Sequence, residues 1–130
     1  PDHRLTLLTR NNIAHWTGRA GDPARALSLY EALLPDQIQT LGADHPDTLR
    51  ARNNMAYWIC RQGDVAKAAY LFEELRADAV RLLEPESRAA RLIVARAARL
   101  GEYLAQSATG PVAIEARDLI ETEARCNAWD

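Results

Sequence analysis

Two pairs of asparagines, Asn11-Asn12 and Asn53-Asn54, carry the side chains best suited to hold a peptide. An asparagine amide has two donor hydrogens and one acceptor oxygen. It can therefore pair with the N–H and the C=O of an extended backbone, whatever side chains that backbone carries. Arginines flank both pairs and can add charge-assisted, often bidentate, hydrogen bonds to carboxylates. Side chains of these types could pair with a peptide backbone, and the positive charge of the arginines would favour an acidic peptide or a free C-terminus.

No set of residues in the sequence has the pattern of a catalytic centre or a metal site. There is no P-loop, GxSxG, HExxH or GxGxxG motif. The three histidines and two cysteines lack the spacing of a zinc site, and Cys60 has no base in its own predicted helix to activate it. We therefore predict no catalytic residues, no metal, no cofactor and no enzymatic activity.

The asparagine pairs belong to a longer internal repeat, because many residues coincide when the sequence is shifted by 42 positions. Repetition at this length is typical of a helical solenoid, in which each unit buries its apolar face only against its neighbours. The coincident residues are His3 and His45, Thr6 and Thr48, Leu7 and Leu49, Arg10 and Arg52, Asn11 and Asn53, Asn12 and Asn54, Ala14 and Ala56, Trp16 and Trp58, Arg19 and Arg61, Gly21 and Gly63, Asp22 and Asp64, Ala26 and Ala68, Leu29 and Leu71, Glu31 and Glu73, and Leu33 and Leu75.

Length and composition agree with one helical domain. The chain has 130 residues, of which 48% are apolar and 26% charged, as in ordinary globular proteins. Its net charge of −2 predicts neither direct nucleic-acid binding nor a membrane surface as partner, and no segment approaches the run of about 20 apolar residues that spans a bilayer. Cys60 and Cys126 are predicted to be reduced thiols in a cytoplasmic protein.

Helix signals divide the chain into six predicted helices. In the first turn, Gly21 can take a left-handed conformation, Asp22 can cap the next helix and Pro23 suits its first position. Pro35 lies inside the second helix and is expected to bend or split it. Trp16 and Trp58 are predicted to pack between helices. The predicted helices are residues 6–20, 23–41, 46–62, 65–83, 87–106 and 111–125.

The predicted domain organisation is a single all-α domain of two repeats and a cap. Residues 2–43 form the first repeat, 44–86 the second, 87–125 a degenerate repeat that caps the array, and 126–130 a tail. The first residues already match the inside of a repeat, so we expect the chain to be a fragment of a longer protein.

The repeated sequence resembles the tetratricopeptide repeat (TPR). It is DHPDTLRARNNMAYWICRQGD in one unit and DHRLTLLTRNNIAHWTGRAGD in the other. It is most similar to the 42-residue variety of kinesin light chains and many bacterial signalling proteins. The resemblance covers residues 2–86 well and 87–125 only as a degenerate helix pair. It implies a right-handed α-solenoid of antiparallel helix hairpins, whose first helices line a concave groove.

In such repeats, asparagines on the first helix of each hairpin bond the ligand backbone, and basic residues take its carboxylates. The third unit has Ala95 and Arg96 in place of the asparagines. Carried over by motif position, the resemblance implies a binding site formed by Asn11, Asn12, His15, Arg19, Arg50, Asn53, Asn54, Tyr57, Arg61, Arg96 and Arg99.

Two interpretations of these residues and of the whole chain remain open. Asn11 and Asn53 can instead bond within the scaffold, between adjacent repeats, while the arginines form a solvated face. As a function, the sequence predicts a protein-interaction module of a cytoplasmic signalling or transcriptional regulator. The alternative is a structural spacer or homo-oligomer, because Leu5, Leu8 and Ile13 on the uncovered first helix are expected to form an exposed apolar patch. Homodimerisation through that end and loss of an upstream repeat by truncation would each explain such a patch.

Overall fold

A computed structural model describes residues 3–109 of the chain, and within that range it is all-helical, with five helices and no strand. The predicted all-α fold is therefore confirmed, and the predicted bounds of the first four helices agree with the structure to within two residues. The predicted sixth helix and Cys126 lie outside the described residues. The five helices are α1 (Arg4–Arg19), α2 (Pro23–Leu41), α3 (Pro46–Arg61), α4 (Val65–Leu82) and α5 (Arg88–Thr109).

The repeated Gly-Asp pair ends one helix and begins the next. Gly21 and Gly63 have φ angles of 110° and 100°, which glycine adopts at little cost and other residues avoid. The carboxylates of Asp22 and Asp64 each accept a hydrogen bond from the backbone N–H three residues on, at 3.1 and 3.2 Å. Such a cap contributes about 1 kcal/mol to helix stability. Local chemistry alone therefore explains both turns.

The linker before α3 is organised by side chains that cap the helix. Nδ1 of His45 accepts a hydrogen bond from the backbone N–H of Asp47 at 3.0 Å. The hydroxyl of Thr48 donates to the carbonyl of Gly42 at 2.9 Å, which ties the end of α2 to the start of α3. His3 holds the corresponding position before α1 but makes no side-chain capping bond.

Pro35 does not split α2, which runs without interruption from Pro23 to Leu41. Of the two predicted outcomes, a bend or a split, the split is therefore excluded. Proline removes one backbone hydrogen bond of the helix, but its neighbours Leu33, Leu34 and Gln37 are all buried. Burial of these side chains on both sides of the proline holds the two halves in one helix.

The chain divides into two compact units, and the boundary between Trp58 and Ile59 falls inside α3. In the first unit α1 packs against α2, and α3 contributes its residues up to Trp58. Its core is built from small and bulky apolar side chains on the inward faces of the three helices. These core residues include Leu7, Ala14, Ala26, Tyr30, Leu33, Leu49, Ala51 and Ala56.

In the second unit α4 packs against α5. The buried residues recur every three or four positions on both helices, as expected for amphipathic helices that share a core. They are Ala68, Ala69, Phe72, Leu75 and Ala79 on α4, and Ala89, Ala90, Ile93, Ala97 and Leu100 on α5. This helix order and hairpin packing are consistent with an α-solenoid of the TPR type.

Candidate functional site

In the first unit, α1 and α3 lie side by side and run in the same direction. Three side-chain contacts join residues that are 43 positions apart, namely Arg4 with Asp47, Asn11 with Asn54, and His15 with Trp58. A constant offset along two helices requires them to be parallel. We call this contact zone the α1–α3 seam, and it comprises Arg4, Asn11, Asn12, His15 and Gly18 of α1 with Asp47, Arg50, Asn54 and Trp58 of α3.

An ion pair closes one end of the α1–α3 seam. Nε of Arg4 lies 2.7 Å from Oδ2 of Asp47. The carboxylate is buried whereas the guanidinium is largely exposed. The hydrogen bond with Asp47, and then the charge of Asp47, raise the pKa of the Arg4 guanidinium.

The asparagines occupy the middle of the seam and fall into two classes. Asn11 is fully buried, and its Oδ1 accepts a hydrogen bond from Nδ2 of Asn54 at 3.2 Å. Asn12 is exposed, and its Oδ1 accepts from Nη2 of Arg50 at 3.4 Å. Asn53 is buried, whereas Asn54 and Arg50 are partly exposed. The first asparagine of each pair therefore belongs to the scaffold, and the second reaches the surface.

Tyr30 of α2 supports the seam from behind. Its hydroxyl donates to the backbone carbonyl of Asn11 at 3.2 Å. Burial raises the pKa of Tyr30, and a hydrogen bond with Asn54 and the charge of Arg50 act in the opposite direction. The phenol therefore lies close to Asn54 and Arg50. The position of Asn54 is set by its contacts with Tyr30 of α2 and Asn11 of α1.

Aromatic packing closes the other end of the seam. Nε1 of Trp58 donates to Nδ1 of His15 at 3.3 Å, and the centroids of the two rings are 5.6 Å apart. The Tyr57 ring contacts the Trp58 ring edge-on at a centroid distance of 4.7 Å. A Cβ atom added to Gly18 would lie 2.5 Å from two atoms of the indole. Gly18 and His15 of α1 thus form a seat for the Trp58 ring, which we call the Trp58 seat.

Sequence reasoning missed Gly18, although a glycine in the interior of a predicted helix signals a close approach of another group. It also predicted the same packing role for both tryptophans. The prediction holds for Trp58, which is 2% exposed, and is wrong for Trp16, which is 66% exposed. The physical reason is that Trp58 has α1 beside it, whereas no described residue provides Trp16 with a comparable seat.

Of the predicted site residues, the structure brings six together at the α1–α3 seam and its aromatic end. Two of the six, Asn11 and Tyr57, are buried and offer little surface to a ligand, and the same holds for Asn53, which is not one of the six. The six are Asn11, Asn12, His15, Arg50, Asn54 and Tyr57.

The predicted arginines outside the seam have different environments. Arg19 is exposed in the last turn of α1. In the second unit, Arg61 is partly exposed and Arg99 is exposed. Arg96 is buried, and its guanidinium carbon lies 5.8 Å from the centroid of the Phe72 ring. Because Arg96 packs over an aromatic face inside the second unit, it presents little of its charge to a ligand.

Cys60 is a buried thiol of the second unit and forms no disulfide. Burial raises its pKa to about 11, although the charges of Arg96 and Arg61 act against the shift. A buried, protonated thiol is a weak nucleophile, so this cysteine has the character of a packing residue.

The raised pKa of Cys60 predicts a loss of stability at alkaline pH. The unfolded thiol ionises near pH 8.5, whereas the folded thiol keeps its proton up to about pH 11. The free energy of unfolding should therefore be unaffected by this group below about pH 8.5 and fall by about 2–3 kcal/mol as the pH rises to 11. Tyr30 acts in the same direction, because burial raises its pKa too.

Urea unfolding of a Cys126→Ser background at pH 8, 9.5 and 11 measures the effect. The matched variant Cys60→Ala should show a smaller decrease between pH 8 and 11, whatever its stability at pH 8. An identical decrease with and without Cys60 would contradict the assignment.

Within residues 3–109, no helix is both long enough and apolar enough to cross a membrane. No three histidine, cysteine, aspartate or glutamate side chains of that range cluster in a way that could hold a metal ion.

Comparison with known proteins agrees with the repeat and the helix pattern. Residues 5–79 match the sequence model of the tetratricopeptide repeat, which is consistent with the kinesin-light-chain-like variety. Searches of curated proteins and of solved structures gave no match. Tetratricopeptide repeats generally mediate protein–protein interactions and are not themselves catalytic. Because the match spans more than half of the 130 residues and most of α1–α4, the chain belongs to the tetratricopeptide repeat family.

Proposed function

We propose that the chain is a protein-interaction module that holds a peptide, or an extended segment of a partner protein, along the α1–α3 seam. The observation that carries the proposal is the presence of two amides and a guanidinium together at the surface of the seam. These groups belong to Asn12, Arg50 and Asn54. Together they provide donors and acceptors for a peptide backbone and a positive charge for a carboxylate.

The geometry of Arg50 favours an acidic ligand. Its hydrogen bond to Asn12 is 3.4 Å long, at the weak end of the range for such bonds. A carboxylate forms shorter and roughly twofold stronger bonds with a guanidinium than a neutral amide does. An acidic side chain or a free C-terminal carboxylate can therefore compete with Asn12 for Arg50, and it would leave the Asn12 amide for the ligand backbone.

Other predicted residues, taken separately in each unit, are candidates for further ligand contacts. His15 is partly exposed beside the seam, and Arg19 is exposed one turn further along α1. In the second unit, Arg61 and Arg99 are candidates for further contacts with acidic groups. The buried Asn11, Asn53, Tyr57 and Arg96 are assigned to the support of these surface groups.

The proposed setting is a cytoplasmic signalling or transcriptional regulator of the bacterial type, as the resemblance to the 42-residue repeats implies. We propose that the chain is one repeat domain of such a protein and that it carries no catalytic activity, metal or cofactor of its own. Its direct partner is a protein rather than a nucleic acid or a membrane.

The test is a titration of the full chain with short fluorescein-labelled acidic peptides that carry a free C-terminal carboxylate. We expect Arg50→Ala to weaken binding about ten- to a hundredfold, because a hydrogen bond to a charged group contributes about 1.5–3 kcal/mol. The double variant Asn12→Ala/Asn54→Ala should also bind more weakly.

Arg25→Ala provides a matched control, because Arg25 is an exposed arginine on α2 of the same unit. It should leave the affinity unchanged. Peptides with an amidated C-terminus, or with glutamine in place of glutamate, should bind less tightly. Equal affinities of the wild type and the double asparagine variant would remove the seam as the binding site.

A second candidate function is assembly through α1. Leu5, Ile13 and Trp16 on the outer face of α1 are 75%, 54% and 66% exposed, respectively. We refer to these three residues as the α1 outer face. Of the apolar patch expected from the sequence, Leu5 and Ile13 are thus exposed, whereas Leu8 is only partly exposed. Exposed apolar surfaces of this kind mark protein interfaces, and the homodimer expected from the sequence would use the α1 outer face. Sedimentation equilibrium at several concentrations tests it, because a homodimer should dissociate on dilution and be abolished by Trp16→Ala.

A further inference from the structure

The side chain of Asn54 is held in place by its amide nitrogen. Nδ2 of Asn54 donates one hydrogen to Oδ1 of Asn11 at 3.2 Å. The same side chain forms a hydrogen bond with the hydroxyl of Tyr30. That hydroxyl already donates its own hydrogen to the backbone carbonyl of Asn11 at 3.2 Å, so toward Asn54 it can only accept. Both bonds of Asn54 therefore use Nδ2, which has two hydrogens to give.

The carbonyl oxygen of Asn54 is the group that remains for a ligand. Asn11 and Tyr30 are both fully buried, so the two acceptors that hold Nδ2 are fixed by the core. The amide cannot turn over without losing both bonds. Asn54 itself is partly exposed. Because an amide oxygen accepts hydrogen bonds and cannot donate them, Asn54 presents an acceptor to the surface of the α1–α3 seam.

Asn12, at the equivalent position of the first repeat, is held differently. Its oxygen accepts from Nη2 of Arg50 at 3.4 Å, a long bond between side chains at the surface. Once Arg50 turns to a carboxylate of the ligand, the Asn12 amide can rotate and offer either its oxygen or its nitrogen. Two asparagines that coincide in the repeat thus differ in chemistry, because Asn54 is fixed and Asn12 is adaptable.

The hydroxyl of Tyr30 is what distinguishes the first hairpin from the second. Forty-two positions after Tyr30 lies Phe72, and forty-two positions after Asn54 lies Arg96. The guanidinium carbon of Arg96 lies 5.8 Å from the centroid of the Phe72 ring. A phenol therefore meets an amide in one repeat, and a plain ring meets a cation in the other. Each ring has the partner that suits its chemistry, so the Tyr30 hydroxyl has a specific role beyond filling the core.

We propose that Asn54 is a fixed hydrogen-bond acceptor of the α1–α3 seam, oriented by the Tyr30 hydroxyl, and that it selects ligands with a backbone N–H beside the group that binds Arg50. The inference rests on the proposed function and specifies one contact of that site. Arg50 precedes Asn54 by one helical turn, so the two side chains are neighbours. A proline, an N-methylated residue or an ester at this position of the ligand has no N–H and leaves the Asn54 oxygen unpaired. Tyr30 acts through Asn54 and is a positioning residue.

Ester scanning of a ligand tests the acceptor role. Each backbone N–H of a fluorescein-labelled acidic peptide is replaced in turn by an ester oxygen, which removes the donor and keeps the length of the chain. One ester, next to the acidic group, should weaken binding by about two- to tenfold. That ester should cause no further loss with Asn54→Ala, whereas its effect should persist with Asn12→Ala. Equal losses in the wild type and in Asn54→Ala would overturn the proposal.

The variant Tyr30→Phe separates a positioning role from a merely structural one. It keeps the buried ring but releases one hydrogen of Asn54, so the amide can turn. The ratio of the Kd of the ester to the Kd of the parent peptide should therefore fall toward one. A loss of affinity that is the same for both peptides would leave this ratio unchanged and contradict the assignment. Tyr70→Phe is the matched control, because Tyr70 is an exposed tyrosine on α4, and it should preserve the wild-type ratio.

Hydrogen exchange of the side-chain amides tests the fixed orientation without a ligand. In NMR spectra of the isotope-labelled full chain, the Nδ2 hydrogens of Asn54 should exchange at least about tenfold more slowly than those of Asn12, since both are bonded to buried groups. Equal exchange rates would overturn the proposal whether or not a peptide binds. Protection of Asn54 in a chain that binds no acidic peptide would refute the proposed function and support the fixed acceptor.

Discussion

Replacing Trp58 by alanine is expected to lower the free energy of unfolding by about 3–5 kcal/mol, whereas Trp16→Ala should change it by less than about 0.5 kcal/mol. The two residues are equivalent in the repeat, but Trp58 is 2% exposed and Trp16 is 66% exposed. Removal of the buried indole leaves a cavity beside Gly18. It also removes the indole N–H that donates a hydrogen bond to Nδ1 of His15. Removal of the exposed indole does neither.

Urea unfolding of the three proteins, followed by circular dichroism, measures both effects. Because the substitution is the same in both variants, side-chain contributions of the unfolded chain largely cancel in the comparison. Trp58→Phe is expected to fall between wild type and Trp58→Ala, since it keeps a ring but loses the indole N–H. Similar losses for the two alanine variants would show that Trp16 is buried in solution.

Gly18→Ala is expected to destabilise the protein by about 1–3 kcal/mol, although alanine is the better helix former. The added methyl carbon would lie 2.5 Å from the indole of Trp58, so the ring or the helix has to move. Gly101→Ala is the matched control on α5, because among the described residues no atom outside the adjacent α5 backbone lies within 4 Å of the Cβ position there. It should stabilise the protein by about 0.5–1 kcal/mol through helix propensity alone.

The measurement is again the free energy of unfolding, and the diagnostic result is the opposite sign of the two glycine substitutions. A double variant that combines Gly18→Ala with Trp58→Leu should show a favourable coupling, because the smaller side chain leaves room for the methyl group. Stabilisation by Gly18→Ala would mean that α1 and α3 are further apart than the structure indicates.

Both predictions concern Trp58 and Gly18, which hold α3 against α1, and not the surface residues that would contact a ligand. The Trp58 seat holds α3 against α1, and this contact sets the distance between Asn12 and Arg50. Variants of the seat should therefore weaken peptide binding only as far as they unfold or loosen the seam. Arg50→Ala should weaken binding in a protein of nearly normal stability, so the two classes of variant are separable by measuring affinity and unfolding together.

The sequence by itself determined the local structure of this protein. Gly21 and Gly63 end helices because glycine tolerates a positive φ, and Asp22 and Asp64 start helices because their carboxylates accept a backbone N–H three residues on. These signals act over a few residues, so helix bounds and the repeat could be predicted from the chain alone. The match to the TPR family over residues 5–79 covers the same repeated sequence.

The tertiary structure decided which side chains of the repeat are buried. Asn11 and Asn12 are adjacent and chemically identical, yet Asn11 is enclosed by Asn54 and Tyr30 while Asn12 reaches the surface. Arg96 was predicted at a ligand site but lies buried over the Phe72 ring. Burial depends on which element occupies the space beside a helix face, and that space is filled by residues distant in the chain.

The two tryptophans show this limit most directly. Their repeat positions are equivalent, and no propensity or periodicity distinguishes them. Trp58 is enclosed because Gly18 leaves room for an indole on the neighbouring helix, and Trp16 is exposed because no described residue offers it such a place. If Trp58→Ala and Trp16→Ala proved equally costly, the α1–α3 packing on which the proposed site depends would be wrong.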